Sequence, residues 1–165
     1  MKEIDPTTSP KQKARQLFRK AYRAQMRGAL EEALGLYRAS IDTFPTAEAY
    51  TFLGWTHSYQ KDYEAAMDCC RTAIAIDPEF GNPYNDIGAY LIELGRWDEA
   101  ESWLWAATRA HRYMSYHFPL YNLGRLHEHR YDWDGAERLY RLALRCEPRY
   151  ALARHALRQI QVRGN

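Results

Sequence analysis

Four alanines at nearly even spacing constrain the fold of this chain more than any other feature. They are Ala33, Ala66, Ala100 and Ala136, and they are separated by 33, 34 and 36 residues. Each alanine has another small residue twelve positions earlier and a further one seven positions later. A period near 34 indicates one structural unit that is copied along the chain. Such a unit buries its apolar surface by stacking on its neighbours.

The second copy, residues 47–80, shows what one unit contains. A first helix is predicted over about 47–60, where one face collects residues at helical spacing: Tyr50, Leu53, Gly54 and His57. The run breaks at Lys61, and a second helix is predicted over about 63–77. Pro78 ends that helix, because proline cannot continue it and pushes the preceding residue out of the α region. Each unit is therefore a helical hairpin.

Small residues occupy the predicted contact between the two helices of this hairpin. Gly54 lies on the first helix and Ala66 on the second. Without bulky side chains between them, the helix axes approach toward the short end of the usual range of about 8–10 Å. We expect this contact to recur in the other copies.

The recurring order of aromatic residue, Leu-Gly, Ala, aromatic residue, Ala and Pro at this period resembles the tetratricopeptide repeat family. The resemblance extends from about Ala14 to Tyr150. Pentatricopeptide repeats, which read RNA, have a similar length but lack the Gly-to-Ala contact, so we rank them well below. The resemblance implies an all-α fold, a right-handed α-solenoid of helix-turn-helix hairpins with a C-terminal capping helix.

The expected organisation follows from the resemblance. Residues 1–13 are expected to be a polar tail, and residues 14–165 the repeat domain, with repeats at about 14–46, 47–80, 81–116 and 117–150 and a capping helix at 151–162. The third repeat lacks its closing proline, and we predict that its second helix is longer and is followed by a tyrosine-rich loop. In the capping helix, Leu152, Ala156 and either Leu157 or Ile160 are expected to face inward.

Bulk composition excludes some partners. The net charge is +2 and 27% of the residues are charged, so no strong field favours nucleic acid or a membrane surface. The N-terminus is polar and no apolar run approaches 18 residues, which predicts a cytoplasmic protein without a membrane span. Three cysteines, two of them adjacent, do not resemble a disulfide framework.

The resemblance also implies where a partner would bind, because the first helices of successive repeats line a concave groove in this family. Carried over position by position, the predicted partner-binding groove comprises Arg15, Phe18, Arg19, Tyr22, Met26, Phe52, Trp55, Tyr59, Asn85, Tyr121, Asn122 and Arg125. Its aromatic rings do not belong to the family's packing pattern, and aromatic residues with arginine are the usual anchors of protein interfaces. We expect a non-catalytic scaffold or adaptor that binds a peptide or helical segment of another protein. The alternative use of some rings, above all Phe52 and Phe118, is packing between repeats.

A second surface is predicted on the third repeat. It comprises Trp103, Trp105, Tyr113 and Tyr116, where the family usually has polar residues, and exposed apolar patches often mark interaction sites. Two alternative functions remain open at this point. The first alternative to a scaffold is a self-associating module that forms a homodimer through this surface. The second is a non-catalytic subunit of a larger enzyme complex.

One subclass of the family clamps the C-terminal carboxylate of heat-shock chaperones with lysine, arginine and asparagine side chains. Counted from the first repeat, the corresponding positions hold Phe18, Tyr22, Phe52, Asn82 and Asp86. Counted from the second, they hold Thr51, Trp55, Asp86, Phe118 and Asn122. Neither way of counting places a lysine or arginine side chain where a free carboxylate would need one. We therefore expect no binding to a chaperone C-terminal tail.

The sequence carries few residue patterns that would indicate catalysis or metal binding. His127 and His129 are two residues apart on a predicted helix and diverge, whereas paired zinc ligands sit four apart. His57 and His127 occupy equivalent inward positions and are interpreted as core residues. The sequence has no Gly-rich phosphate loop, no CxxC and no nucleophile elbow. We expect no enzyme activity, no metal and no cofactor.

Overall fold

The computed structural model describes residues 9–163, and these residues form nine helices. The helices are α1 Pro10–Met26, α2 Leu30–Thr43, α3 Ala47–Tyr59, α4 Tyr63–Ile76, α5 Asn82–Glu93, α6 Trp97–Arg109, α7 His117–His129, α8 Trp133–Cys146 and α9 Ala151–Arg163. Successive pairs form four hairpins, and α9 follows as a single helix. The predicted all-α hairpin fold is confirmed.

The helices divide between two compact units. Unit 1 ends at Pro78 and contains α1–α4, and unit 2 begins at Glu79 and contains α5–α9. In unit 1, α2 of the first hairpin packs against α3 of the second. In unit 2, α6 packs against α7, and α8 against α9. Within each unit, the second helix of one hairpin therefore lies against the helix that follows it.

Glycines set the approach of the helices inside three hairpins. A Cβ atom on Gly54 would lie 2.8 Å from the carbonyl oxygen of Ala66, so the predicted Gly-to-Ala contact is confirmed. A Cβ atom on Gly88 would meet the side chain of Leu104, and one on Gly124 the ring of Tyr140. Each glycine lies on a first helix and faces the second helix of its own hairpin.

The hairpin turns share one backbone geometry. Each turn has a residue of left-handed φ at the same place in the repeat, namely Gly28, Lys61, Gly95 and Tyr131, with φ of 80°, 62°, 74° and 60°. The following backbone N–H donates to a carbonyl five residues earlier, from Asp62 to His57 in the second hairpin (3.1 Å), as in a Schellman motif. The left-handed conformation of Lys61 therefore ends α3, as predicted from the break in the sequence pattern at this residue. A non-glycine residue there costs on the order of 1 kcal/mol.

The N-terminal boundary differs from the expectation. Helix α1 begins at Pro10, inside the predicted tail of residues 1–13, while residues 1–8 lie outside the described residues. Ser9 caps the helix: its Oγ accepts from the N–H of Gln12 (3.3 Å), and the Gln12 side chain accepts from the N–H of Ser9 (3.1 Å). This capping box satisfies two backbone donors and fixes the earlier start.

The third hairpin also differs from the expectation. Helix α6 has 13 residues and ends at Arg109, so the prediction of a longer second helix is wrong. The additional residues instead form the segment 110–116, which runs beside residues 79–81 of the same unit. There the N–H of Arg112 donates to the carbonyl of Glu79 (2.9 Å), and the N–H of Gly81 to that of Arg112 (3.2 Å). These backbone bonds hold the segment in place.

The final helix contacts the fourth hairpin through the predicted residues Ala156, Leu157 and Ile160, but not through Leu152. Leu152 is 54% exposed, so its inward assignment is wrong, whereas Ala153 is fully buried and Ile160 is 8% exposed. Ile160 packs in one cluster with Ala136 and Tyr140 of the fourth hairpin. The inward stripe thus begins one residue later than the pattern indicated.

We predict opposite effects for two glycine-to-alanine substitutions inside helices of unit 1. Gly54→Ala should lower the free energy of unfolding by about 1–3 kcal/mol, because the new methyl group overpacks against backbone that cannot move aside. Gly35→Ala is the matched control: nothing lies within 4 Å of its added Cβ, so helix propensity should raise the free energy of unfolding by about 0.5–1 kcal/mol. Urea unfolding followed by circular dichroism measures both. An unchanged or higher stability for Gly54→Ala contradicts the close contact.

Candidate functional site

The first helices of unit 1 carry a connected set of aromatic rings, here called the aromatic face. It comprises Phe18 and Tyr22 of α1 and Phe52, Trp55 and Tyr59 of α3. Phe52 contacts Phe18, Tyr22 and Trp55, with ring centroids 5.2, 5.8 and 5.4 Å apart. Trp55 then stacks on Tyr59 at 5.7 Å. Five predicted groove residues are thereby brought together.

Exposure increases outward across the aromatic face. At its base, Tyr37 of α2 is fully buried and contacts Phe18 edge-on at 5.5 Å. Phe18, Phe52 and Trp55 are half-buried, whereas Tyr22 is 41% and Tyr59 51% exposed. The inner rings therefore serve packing, as the alternative interpretation of Phe52 proposed. The outer rings expose apolar surface to water, and the packed inner rings support them.

Exposed residues of α1 flank this face. Met26 lies one turn after Tyr22 and is 48% exposed. Arg15 and Arg19 are exposed, and with Gln12 and Gln16 they line a shallow depression on α1. The five predicted groove residues of α1 thus lie on or beside an apolar edge with cationic neighbours.

The first helices of unit 2 carry a polar network in addition to the rings of Phe118 and Tyr121. The Arg125 guanidinium of α7 donates to Glu93 Oε1 of α5 (3.1 Å) and to Asn122 Oδ1 (3.4 Å). Asn122 Nδ2 donates to Asn85 Oδ1 (3.2 Å), and Asn85 Nδ2 to Asp86 Oδ1 (3.4 Å). The network joins α5 to α7 and ends on the carboxyl group of Asp86.

Three predicted groove residues of unit 2 are mainly structural. Asn85 and Asn122 are 8% and 7% exposed, and their amides are bonded to each other, so they are not open contacts for a partner. Tyr121 is half-buried against Tyr140 and Tyr150, with ring centroids 5.5 and 5.3 Å apart. Burial raises the pKa of the Tyr121 hydroxyl. The groove residues were assigned by carrying the family's positions over to this sequence. That assignment missed these contacts because it considers only where a residue lies along its helix.

Asp86 has the most perturbed carboxyl environment in this network. It is partly exposed, and burial raises its pKa from 3.8 to about 7, with only the hydrogen bond from Asn85 acting in the opposite direction. No cation contributes to this shift. Desolvation therefore dominates, because the charged form loses hydration that a neighbouring positive charge would otherwise replace.

The predicted second surface is only partly exposed. Trp105 is 37% exposed, and Trp103 is half-buried beside Tyr84, with ring centroids 6.1 Å apart. Tyr113 is 5% exposed, because its ring occupies the space that a side chain at Gly81 would fill, so its assignment to an exposed surface is wrong. Tyr116 is half-buried, and its hydroxyl donates to the carbonyl of Ala110 (2.9 Å).

The sequence pattern did not predict a depression at the turns of unit 2. It is lined by Trp97, Arg125, Glu128, His129, Tyr131 and Trp133. His129 stacks on Trp97 at 4.2 Å with planes 10° apart, and Tyr131 is 78% exposed at its left-handed φ. Trp97 and Trp133 are the first residues of α6 and α8. Their spacing of 36 residues was the signal that they lie in equivalent places.

His57, His127 and Cys69 have structural environments. His57 is half-buried, and burial lowers its pKa. His127 Nδ1 lies 2.7 Å from Asp132 Oδ2, the N-cap residue of α8. Burial raises the pKa of the Cys69 thiol to about 11. Across residues 9–163, no group of three or more His, Cys, Asp or Glu side chains is arranged to hold a metal ion, and none of the helices there is long and apolar enough to cross a membrane.

We predict that Asp86→Asn stabilises the chain in a pH-dependent way. Because the folded pKa is raised, the folded chain holds this proton more tightly, and the wild type loses stability as pH rises from about 4 to about 7. The substitution should therefore be nearly neutral at pH 4. At pH 8 it should raise the free energy of unfolding by roughly 1–3 kcal/mol, less than the pKa shift implies because water reaches part of the group.

The comparison requires unfolding curves at both pH values for the wild type, Asp86→Asn and a control. Asp134→Asn is the control, because Asp134 is exposed in the first turn of α8, where a carboxylate favours the helix. It should show no gain at pH 8. A loss of stability for Asp86→Asn at pH 8 would mean that the folded state favours the carboxylate.

The sequence was also compared with known proteins. It matches two models of the tetratricopeptide repeat, one over residues 47–80 and the other over residues 84–112 and 120–146. No curated protein sequence matches it. Among solved structures it is similar to PilF of Pseudomonas aeruginosa, with a TM-score of 0.85 and 20% identity over 93% of this chain and 70% of that one.

Two further structures are similar. PilW, described as a widely conserved type IV pilus biogenesis factor, has a TM-score of 0.83 and 18% identity over 92% of this chain and 70% of that one. The first TPR of Spaghetti (RPAP3), bound to an HSP90 peptide, has a TM-score of 0.65 and 23% identity over 73% of this chain and 94% of that one. At these identities the likeness shows the fold. Since the two repeat models together match more than half of the sequence, this chain belongs to the tetratricopeptide repeat family and has the family's all-α solenoid fold.

Proposed function

We propose that this chain is a non-catalytic adaptor that binds a peptide or helical segment of another protein on the aromatic face of unit 1. The observation that carries the proposal is the exposed outer edge of that face. Tyr22 and Tyr59 present rings to water, while Phe52 packs against Tyr22 and Trp55 stacks on Tyr59. Members of this family are in general non-catalytic scaffolds that bind other proteins, and this supports the proposal.

The physical reason for a protein partner is the combination of rigidity and apolar area. Aromatic rings lose little side-chain entropy on binding, and here ring-to-ring contacts already restrict Trp55 and Tyr59. Arg15 and Arg19 beside the rings add groups that are enriched, like tyrosine and tryptophan, among the residues that dominate interface energy. A partner segment with apolar anchors would cover the outer rings and leave the arginines at the rim.

The similar structures support the proposal in general terms. The Spaghetti repeat domain is bound to a peptide, and PilW is described as a type IV pilus biogenesis factor. Self-association through the second surface has weaker support, because Tyr113 is buried and Tyr116 is half-buried, which leaves Trp105 as the exposed member of that set. The aromatic face is therefore the better candidate.

We predict that Trp55→Ala with Tyr59→Ala weakens partner binding by about 30-fold or more, the effect of losing an interface hot spot of roughly 2 kcal/mol. The partner is first captured from native cells with the wild-type chain and then titrated against each variant. Circular dichroism must show that all variants are equally helical.

The matched control also removes one tryptophan and one tyrosine that are exposed elsewhere, Trp105→Ala with Tyr131→Ala. It should bind the partner like the wild type. If the control loses the partner and the aromatic-face variant retains it, the binding surface lies in unit 2 and the proposal is wrong.

A chaperone tail should not bind. Whether counted from the first or the second repeat, the positions of the carboxylate clamp include Phe52, Trp55 and Asp86 and hold no lysine or arginine. Asp86 would in addition repel a carboxylate. A peptide that ends in Glu-Glu-Val-Asp should therefore show no measurable affinity by fluorescence anisotropy. The Spaghetti repeat domain, which is bound to such a peptide, is the positive control. Micromolar binding to this chain would contradict the prediction.

A further inference from the structure

The polar network of unit 2 leaves one negative charge without a counterion. Its charged members are Glu93, Arg125 and Asp86, and Arg125 is paired with Glu93 at 3.1 Å. Asp86 accepts one long hydrogen bond, from Asn85, and forms no ion pair with any residue in the described part of the chain. A carboxylate offers about four acceptor sites, so most of its capacity is unused.

Stability does not explain an aspartate at this position. An asparagine would offer the same oxygen to Asn85 and would avoid the desolvation that raises the pKa of Asp86 to about 7. Desolvated charges without a partner are costly in proteins and cluster at functional sites. A cationic group from outside the network would offset this cost.

Asp86 lies on α5 near Tyr113, whose hydroxyl pKa is raised by burial and by the charge of Asp86. It occupies the place on α5 that Phe52 occupies on α3, 34 residues earlier. One turn further along α5, the place of Trp55 is taken by the small residue Ala89. Asp86 is itself partly exposed. A long side chain from a partner can thus reach it where unit 1 has rings.

We propose that Asp86 binds the lysine or arginine side chain of a partner segment that lies along α5 and α7. The inference deepens the proposed function and rests on it, since it requires a bound protein segment. A cation at Asp86 would replace the lost hydration, favour the ionised carboxyl group and form charge-assisted hydrogen bonds. Asn85, held by Asn122, fixes the orientation of the carboxyl group before binding.

The alternative is that Asp86 serves only as the end of the hydrogen-bond network. Asp86→Asn separates the two roles, because the amide keeps an acceptor for Asn85 and removes the charge. A purely structural role would leave the partner's charge preference unchanged. A cation-binding role would remove that preference while the fold is retained.

The test uses the full chain and a random dodecapeptide library displayed on phage. Peptides are selected on the wild type, on Asp86→Asn and on Asp134→Asn, which removes an equivalent charge at an exposed site on α8. A selected peptide is then resynthesised with its basic residue replaced by a neutral analogue of similar shape, norleucine for lysine or citrulline for arginine. Calorimetric titration gives the affinity of both peptides for all three proteins.

We expect peptides selected on the wild type and on Asp134→Asn to share a basic residue at one position, and those selected on Asp86→Asn to lack it. The neutral analogue should bind the wild type about 10- to 100-fold more weakly, the range for a hydrogen bond to a charged group, and should bind Asp86→Asn less than 2-fold more weakly. An equal loss on both proteins, or enrichment that survives the substitution, overturns the inference.

The outcome also separates this inference from the proposed function. Peptides that depend on Trp55 and Tyr59 but show no preference for a basic residue overturn the inference and leave the proposed function standing. If every selected peptide binds equally well to Asp86→Asn and to the variant with Trp55→Ala and Tyr59→Ala, or if no peptide is selected, both are overturned.

Discussion

The close packing of the two helices in each hairpin is the constraint on which the remaining structure depends. At Gly54 the approach leaves no room for a methyl group against the Ala66 backbone, and Gly88 and Gly124 face large side chains in the same way. Because the axes are close, each second helix buries the alanine at the contact completely, as at Ala66, Ala100 and Ala136. Side chains on the far side of each first helix are then not needed to hold the hairpin together.

The free side of the first helices differs between the two units. In unit 1 it carries rings that pack upward from the buried Tyr37 to the exposed Tyr59. In unit 2 it carries amides and an ion pair that end at Asp86. The same repeat position holds Phe52 in one unit and Asp86 in the other. The same hairpin geometry thus carries a connected set of rings in unit 1 and a carboxyl group without an ion-pair partner on α5 of unit 2.

Much of the fold could be predicted from the sequence, because the period, the small contact residues and the prolines act locally and repeat. The site was less predictable. Helix position identified the aromatic face, but it assigned Asn85 and Asn122 as ligand contacts, although contacts 37 residues apart in sequence bury both amides. Tyr113 was misassigned for a similar reason, since its ring fills space beside Gly81. The unpaired charge of Asp86 depends on which groups surround it, and a sequence pattern does not contain that information.

Hydrogen–deuterium exchange of the full chain, with and without its captured partner, tests the central claim most directly. Backbone amides report which helices a partner covers, and no substitution is needed. If the first-helix side is the binding surface, bound partner should slow exchange in α1 and α3, with smaller changes in α2 and α4. Protection confined to α6 and the segment 110–116, with α1 and α3 unchanged, would contradict the account and assign binding to the surface around Trp105.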